Sequence, residues 1–405
     1  MDFKLLGSIL LIIGTSIGAG MLALPIATAQ LGFLGSVGLL FVCWFVMTAG
    51  AFLILEVNLW MPTNSNLITM AKATIGPIGQ LMAWASFILL LYSLLCAYIA
   101  GGSDLLHNLL AATNFQIPEW TAALIFLIVF GTIVFLGIQA VDYTNRFLMA
   151  IKLGAYILLV CLLMPFISVD KLLAGELQHV TSITAITVTL TAFGYAAIVP
   201  SLRIYFAGDV RKLKIAILVG SFVPLVCYIF WDAVIMGVIP LEGSESLKAV
   251  LHSDDSTSAL VNTLNSLVHE GSVQFFVKLF TSICVVTSFL GVAVCLVDFL
   301  ADGLQMEKTG FKKVFIHLLT FVPPFFITLC MPNVFINALA YAGIYCVVLL
   351  ILLPAWMAWN GRYHKHYPST YTLPGGKPLL GGLILSSILI LIYSFIAMFF
   401  MKNGS

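Results

Sequence analysis

The chain has 405 residues, 61% of them hydrophobic and only 9% charged, with a mean hydropathy of +1.11. A water-soluble domain gives roughly a quarter of its residues to charge, so this composition excludes a soluble protein and describes a chain whose outer face meets hydrocarbon. A formal net charge of +1 without a basic patch excludes a nucleic-acid partner.

Crossing about 30 Å of hydrocarbon takes roughly 20 apolar residues in a helix. Eleven runs are long enough, so an all-α integral membrane protein with eleven transmembrane helices in a lipid bilayer is expected. They are residues 4–30, 34–61, 77–111, 120–138, 146–168, 182–207, 213–240, 273–303, 313–331, 334–359 and 379–401.

The first run follows Lys4 and could pass for a signal sequence. Glycines interrupt it, it has no cleavage-type end, and it leads straight into the next apolar run, so it is read as an uncleaved span. Its centre reads Gly14, Thr15, Ser16, Ile17, Gly18, Ala19 and Gly20, with Pro25 beyond. Three glycines and two hydroxyls at mid-depth weaken the helix there, and unwound backbone survives in a membrane only where protein or a polar cavity satisfies it. The plainer alternative is a small-residue face that packs another helix. The third and eighth runs exceed a perpendicular crossing and are expected to tilt. The sixth carries a second interruption at Phe193, Gly194 and Tyr195, followed by Ala196, Ala197, Ile198, Val199 and Pro200; the spacing from Phe193 to Pro200 equals that from Gly18 to Pro25. Between the seventh and eighth runs, residues 242–270 are polar and are expected to hold short surface helices.

Interruptions at the first and sixth places of a ten-span core predict two inverted five-helix repeats, residues 1–168 and 169–360, with residues 361–405 adding an eleventh helix. Half-helix starts offer amides and half-helix ends offer carbonyls, and a zwitterion fits both. A carboxylate is expected on the amides of Gly18, Ala19 and Gly20, and an ammonium on carbonyls near Gly14, Thr15 and Phe193. Such a chain moves a small solute. Neither the eight cysteines nor the seven histidines fall at metal-ligand spacing, so no cofactor or metal is expected. Without paired carboxylates inside the spans, the sequence does not read as an enzyme.

Lysine and arginine are retained on the cytoplasmic side. With the N-terminus inside, thirteen fall in inner segments, including Lys4, Arg146, Arg203, Arg211 and Arg362, against Lys171, Lys248 and Lys402 outside. The C-terminus is then outside.

The segments GTSIGAGMLALP (Gly14 to Pro25), LEV (Leu55 to Val57), NRF (Asn145 to Phe147), FGY at Phe193, VPS at Val199, RKL at Arg211, YIFW at Tyr228, TSFLGVA at Thr287, DFLAD at Asp298 and YAG at Tyr341 resemble, in order and spacing, the bacterial hydroxy and aromatic amino acid permeases. Within them the chain is most similar to the tyrosine-specific permeases. The resemblance runs nearly end to end and implies a LeuT-type fold, residence in the cytoplasmic membrane, and proton-driven uptake of aromatic amino acids, with tyrosine first and phenylalanine and tryptophan as alternatives. One departure is local. Tyrosine permeases commonly read FHGSVPS where this chain has Tyr195, Ala196, Ala197, Ile198, Val199, Pro200 and Ser201, which widens the pocket and removes polar groups. Sodium coupling or exchange of another neutral amino acid is the alternative.

Ionisable groups at depth are costly and functional by default. Lys152, in the fifth span, is expected to reach the first break opposite Thr287 and Ser288 and to carry the coupling proton; a lysine snorkelling to the interface is the plainer reading. Glu56 and Asp298 are candidates for gate or salt-bridge contacts with Arg146 or Arg203, and either of them, or Asp232 in the seventh span, could be a second proton site; a capping or packing role is the plainer reading for each. The aromatic lining is assigned to Tyr92, Phe193, Tyr195, Phe289 and Tyr341, with packing between helices as the alternative for each. Phe193→Ala is expected to weaken binding of an aromatic substrate by about 1–3 kcal/mol through lost stacking and burial; unchanged affinity in a direct binding assay removes Phe193 from the site.

Overall fold

The computed structural model describes residues 3–63, 65–112, 117–176, 182–331, 333–368 and 370–403, and every regular element among them is helical. The chain runs through α1 (Phe3–Ser16), α2 (Ala19–Ala27), α3 (Gly32–Leu59), α4 (Leu67–Thr74), α5 (Pro77–Ala111), α6 (Glu119–Leu136), α7 (Ile138–Leu163), α8 (Val169–Leu173) and α9 (Ile183–Ala192). It continues through α10 (Val199–Tyr205), α11 (Val210–Val238), α12 (Leu247–Leu251), α13 (Ser256–Val268), α14 (Gly271–Gly303), α15 (Gly310–Cys330), α16 (Val334–Cys346), α17 (Leu353–Tyr363) and α18 (Gly376–Asn403). Ten segments are long and apolar enough to cross a membrane, and the bent pair α1–α2 makes an eleventh. The protein is therefore an all-α, multi-pass membrane protein. Phe41, Phe45, Leu385 and Phe395 stand exposed on this surface, a placement that water penalises and lipid does not.

The fifth span starts earlier than the hydropathy suggests. Helix α7 begins at Ile138, so Arg146 lies within it, and Gly137 alone separates it from α6. Gly137 has φ +110°, a conformation that L side chains resist, so one glycine turns the chain where a loop was expected. The polar stretch after the seventh span does hold two short helices, α12 and α13.

The first span breaks at Ile17 and Gly18, and its halves meet at 50°. The sixth is interrupted more gently. Helix α9 stops at Ala192, residues Gly194–Ile198 wind as 3-10 helix, and α10 starts with Pro200 in its first turn. One glycine loosens this stretch where three loosen the first, and the sixth remains a single apolar segment of 23 residues. Helix α2 packs on α9, α1 on the 3-10 turn, and α14 on both α2 and α7. The interruptions therefore face each other inside the bundle. Against them lies α16, whose close approach to α9 depends on Gly343: a Cβ there would overlap the Thr187 backbone. Thr191 Oγ1 also donates to the Leu339 carbonyl at 2.9 Å.

Gly343→Ala is expected to cost about 1–3 kcal/mol by overpacking and to lower the melting midpoint of the purified protein. Gly38→Ala, where the added methyl meets open space, is the control. Equal midpoints in the two variants would show that α9 and α16 do not touch this closely.

Candidate functional site

Ending a helix in mid-membrane bares its last carbonyls, and each needs a donor. At the first break three other helices supply polar partners. Lys152 of α7, fully buried, donates from Nζ to the Ile17 carbonyl at 2.6 Å and to Thr287 Oγ1 of α14 at 3.2 Å. Thr287 in turn donates to the Ile283 carbonyl at 2.8 Å. Ser288, the next residue, accepts the Ala19 N–H at 2.9 Å. Gly18 permits this approach, because a Cβ on it would run into Ser288 Oγ. Among the described residues no carboxylate pairs with Lys152; its charge rests against the negative end of the α1 dipole.

Tyr228 of α11 joins the two interruptions. Its hydroxyl lies 2.6 Å from the carbonyl of Ser16, the last residue of α1, and 2.8 Å from that of Ala192, the last residue of α9. One hydroxyl carries one proton and donates to one carbonyl at a time. The Phe193 ring sits on Tyr228 edge to face, 5.2 Å between centroids, and both side chains are fully buried. Tyr98 faces Ser288, and Gly194 lies beside Cys346. Two helix ends, an ammonium, a phenol and a hydroxyl pair thus converge on one buried centre.

The other residues singled out in the sequence divide between this centre and its surroundings. Gly14 abuts Met149 of α7, Thr15 donates back to the Ile12 carbonyl at 2.9 Å, and Ile17 and Gly20 are buried, Gly20 against Ala192. Tyr195 turns toward α3, donating to Thr48 Oγ1 at 3.0 Å, with Ala196 buried and Ala197 half-buried beside it. Tyr92 donates to the Leu319 carbonyl of α15 at 2.8 Å, and Phe289 packs between Phe126 and Phe321. Tyr92 and Phe289 make these contacts with the fourth and ninth spans. Tyr341 is half-buried on α16.

The charged residues expected at a gate pair differently. Glu56 is fully buried and takes both arms of Arg362, at 2.7 and 2.6 Å, together with the Leu373 N–H at 2.8 Å. Arg203 bonds the Asn58 and Met61 carbonyls, the latter at 2.9 Å. Arg146 pairs with Asp142 one turn away and is 77% exposed, and Asp298 pairs with Lys308 at 2.5 Å. Glu56 and Asp298 therefore meet neither Arg146 nor Arg203. Arg362 lies in the last turn of α17, and its place along the chain does not by itself point to Glu56.

A cavity of about 810 Å³ lies apart from this centre, lined by Asp104, His107, Glu119, Asp254 and Asp255 among others. Burial, then the negative charge of Glu119, raises the Asp255 carboxyl above its usual range.

Broken helices with buried polar groups at the break define a multi-pass membrane transport protein rather than an enzyme. The profile of the tryptophan/tyrosine permease family matches residues 1–394, and the chain belongs to that family. It is similar to "Tyrosine-specific transport system 1" of Haemophilus influenzae, 34% identical over 96% of this chain and 95% of that one. "Tryptophan-specific transport protein" of the same organism is 31% identical over 95% and 94%. "Glutamine transporter 2" of Aliivibrio fischeri is 30% identical over 97% and 99%.

Tyr228→Phe removes the hydroxyl shared by the two helix ends. It is expected to cost about 1–3 kcal/mol, the penalty for a buried carbonyl without its donor, read as a lower unfolding midpoint of the purified protein; an unchanged midpoint would mean that the hydroxyl does not hold the two ends together.

Proposed function

We propose that the chain imports an aromatic amino acid across the bacterial inner membrane by alternating access, with a proton on Lys152 as the coupling ion. The carrying observation is the Lys152 ammonium, seated between the Ile17 carbonyl and Thr287 at the bend of the first span. A cation there balances the α1 dipole end, and its loss frees that end to move. The family and the names of its tyrosine- and tryptophan-specific relatives support the aromatic side chain.

In this reading the first ten spans form two inverted repeats of a LeuT-type core, residues 1–168 and 169–360, with residues 361–405 as an added helix. The N-terminus is inside and the C-terminus outside, following the excess of lysine and arginine. The substrate carboxylate takes amides of Gly18, Ala19 and Gly20. Its ammonium takes the end carbonyls of α1 and α9, which are those of Ser16 and Ala192, one to two residues from the positions expected. Three N–H donors on an ammonium satisfy both carbonyls at once, where the Tyr228 hydroxyl satisfies one. Phe193 gives the aromatic ring a wall. Arg203 and Glu56, bound to elements at the inner end, close that side.

In proteoliposomes, Lys152→Gln is expected to abolish accumulation driven by a pH gradient, whereas a sodium gradient should drive neither protein. Full pH-driven accumulation by the variant would overturn the assignment to Lys152. Tyrosine, tryptophan and phenylalanine should compete with one labelled aromatic substrate; stronger competition by glutamine would replace the aromatic reading with the one that the Aliivibrio relative's name favours.

A further inference from the structure

Asp232 of α11 is fully buried, and Lys152 does not explain it. Its Oδ2 lies 2.5 Å from Ser36 Oγ of α3, while its Oδ1 is buried without a hydrogen-bond partner. Ser36 is 3.0 Å from Thr28 Oγ1, and Thr28 Oγ1 is 2.8 Å from the Leu24 carbonyl near the end of α2. An unbroken line of hydrogen bonds therefore joins the carboxyl to the half-helix that follows the first break.

Each hydroxyl in the line has one proton, so the line has two complete directions. With a proton on Asp232, the carboxyl donates to Ser36, Ser36 to Thr28, and Thr28 to the Leu24 carbonyl. Without it, both hydroxyls reverse to point at the carboxylate, and the Leu24 carbonyl keeps only the Thr28 N–H at 2.9 Å. A bare carboxylate here would have a single donor and no counter-charge, an expensive state in a dry interior.

The groups around it do not supply the missing charge. On α7, Tyr156 donates to the Cys227 carbonyl at 2.9 Å, and Lys152 is engaged at Ile17. On α8, Lys171 holds the Val238 carbonyl at 2.5 Å, beside Asp170 in sequence. Helix α2 has no titratable residue; α3 brings Glu56, which Arg362 occupies; α10 brings Arg203, bound to Asn58 and Met61; and α1 brings Lys4 at its start. On α11 itself, Arg211, Lys212 and Lys214 lie in the first turns and Tyr228 spans the two breaks. Lys248 and His252 belong to α12 and its end, where Lys248 pairs with Glu242.

We infer that Asp232 is a second proton-binding site of the transporter, holding its proton while α2 is packed against α11 and Thr28 at its end bonds Ser36 of α3, and releasing it when water reaches the Ser36–Thr28 line. This rests on the transport reading but not on the role of Lys152. Proteoliposomes carrying wild type, Asp232→Asn or Lys152→Gln, with a luminal pH dye and labelled tyrosine, separate the two. Asp232→Asn should keep tyrosine counterflow, measured without a pH gradient, within about twofold of wild type. Its proton entry per tyrosine should fall at least about twofold, by half where another group still carries a proton and entirely where Asp232 carries the only one. An unchanged ratio overturns the inference, and wild-type protein that counterflows without moving protons overturns proton coupling as a whole. If Asp232→Asn does not fold, infrared spectra of wild type and Ser36→Ala across a pH series decide it. The expected result is a protonated-carboxyl band in wild type that shifts in Ser36→Ala; a band that stays in place, or no such band, counts against Asp232.

Discussion

A carbonyl bared in hydrocarbon must find a donor, and that requirement organises the centre of this protein. Stopping α1 at Ser16 and α9 at Ala192 exposes helix ends that cost about 1–3 kcal/mol for each group left unpaired. The donors arrive from the fifth and seventh spans as Lys152 and Tyr228, and the eighth span answers the bared amide of Ala19 through Ser288. Those three spans are thereby registered against the first at the level of single atoms. Moving either half of the first span means exchanging these bonds for others.

The two interruptions are unequal in a way that suits different tasks. The first bends by 50° and gathers polar side chains, whereas the sixth stays one apolar segment through its 3-10 turn and contributes aromatic and small residues. Half-helix α10 is further tied by Arg203 to the end of α3, and the segment following α17 is folded back on α3 through Glu56 and Arg362. These ties all converge on one end of α3. Its fully buried Glu56 is a fixed negative point, because a bidentate arginine and a backbone N–H together meet a carboxylate's needs without water.

How much of this was legible in the sequence depended on whether the signal was local. The glycine cluster at 14–20 and the Phe193–Tyr195 turn disrupt helix whatever surrounds them, so both breaks could be read directly. Lys152 was legible because an ammonium deep in an apolar run demands a partner, and its pairing with Thr287 followed from the architecture that the family resemblance implies. Tyr228 was not legible as a bridge: a tyrosine in an apolar stretch reads as packing, and only the fold shows two carbonyls at its hydroxyl. Tyr92 and Phe289 adjoin informative positions but turn to α15 and α6, since helices that are apolar all round carry no amphipathic stripe to say which face points inward. The Glu56 partner was missed for a related reason, because Arg362 lies 306 residues away and any of several arginines fits the charge.

On the proposed reading, recognition is divided between backbone and side chain. Helix ends hold the ammonium and carboxylate common to all amino acids, and they are built from carbonyls and amides that no substitution other than proline removes. The variable part of the substrate meets only the residues lining the remaining space, here Phe193 with the small Gly194, Ala196 and Ala197 beside it. A few replacements in that lining change what is carried without disturbing the breaks or the groups that satisfy them. On this reading, relatives named for tyrosine, tryptophan and glutamine lie at 34%, 31% and 30% identity over nearly the whole chain because the proposed side-chain preference needs only a few positions around the sixth-span turn.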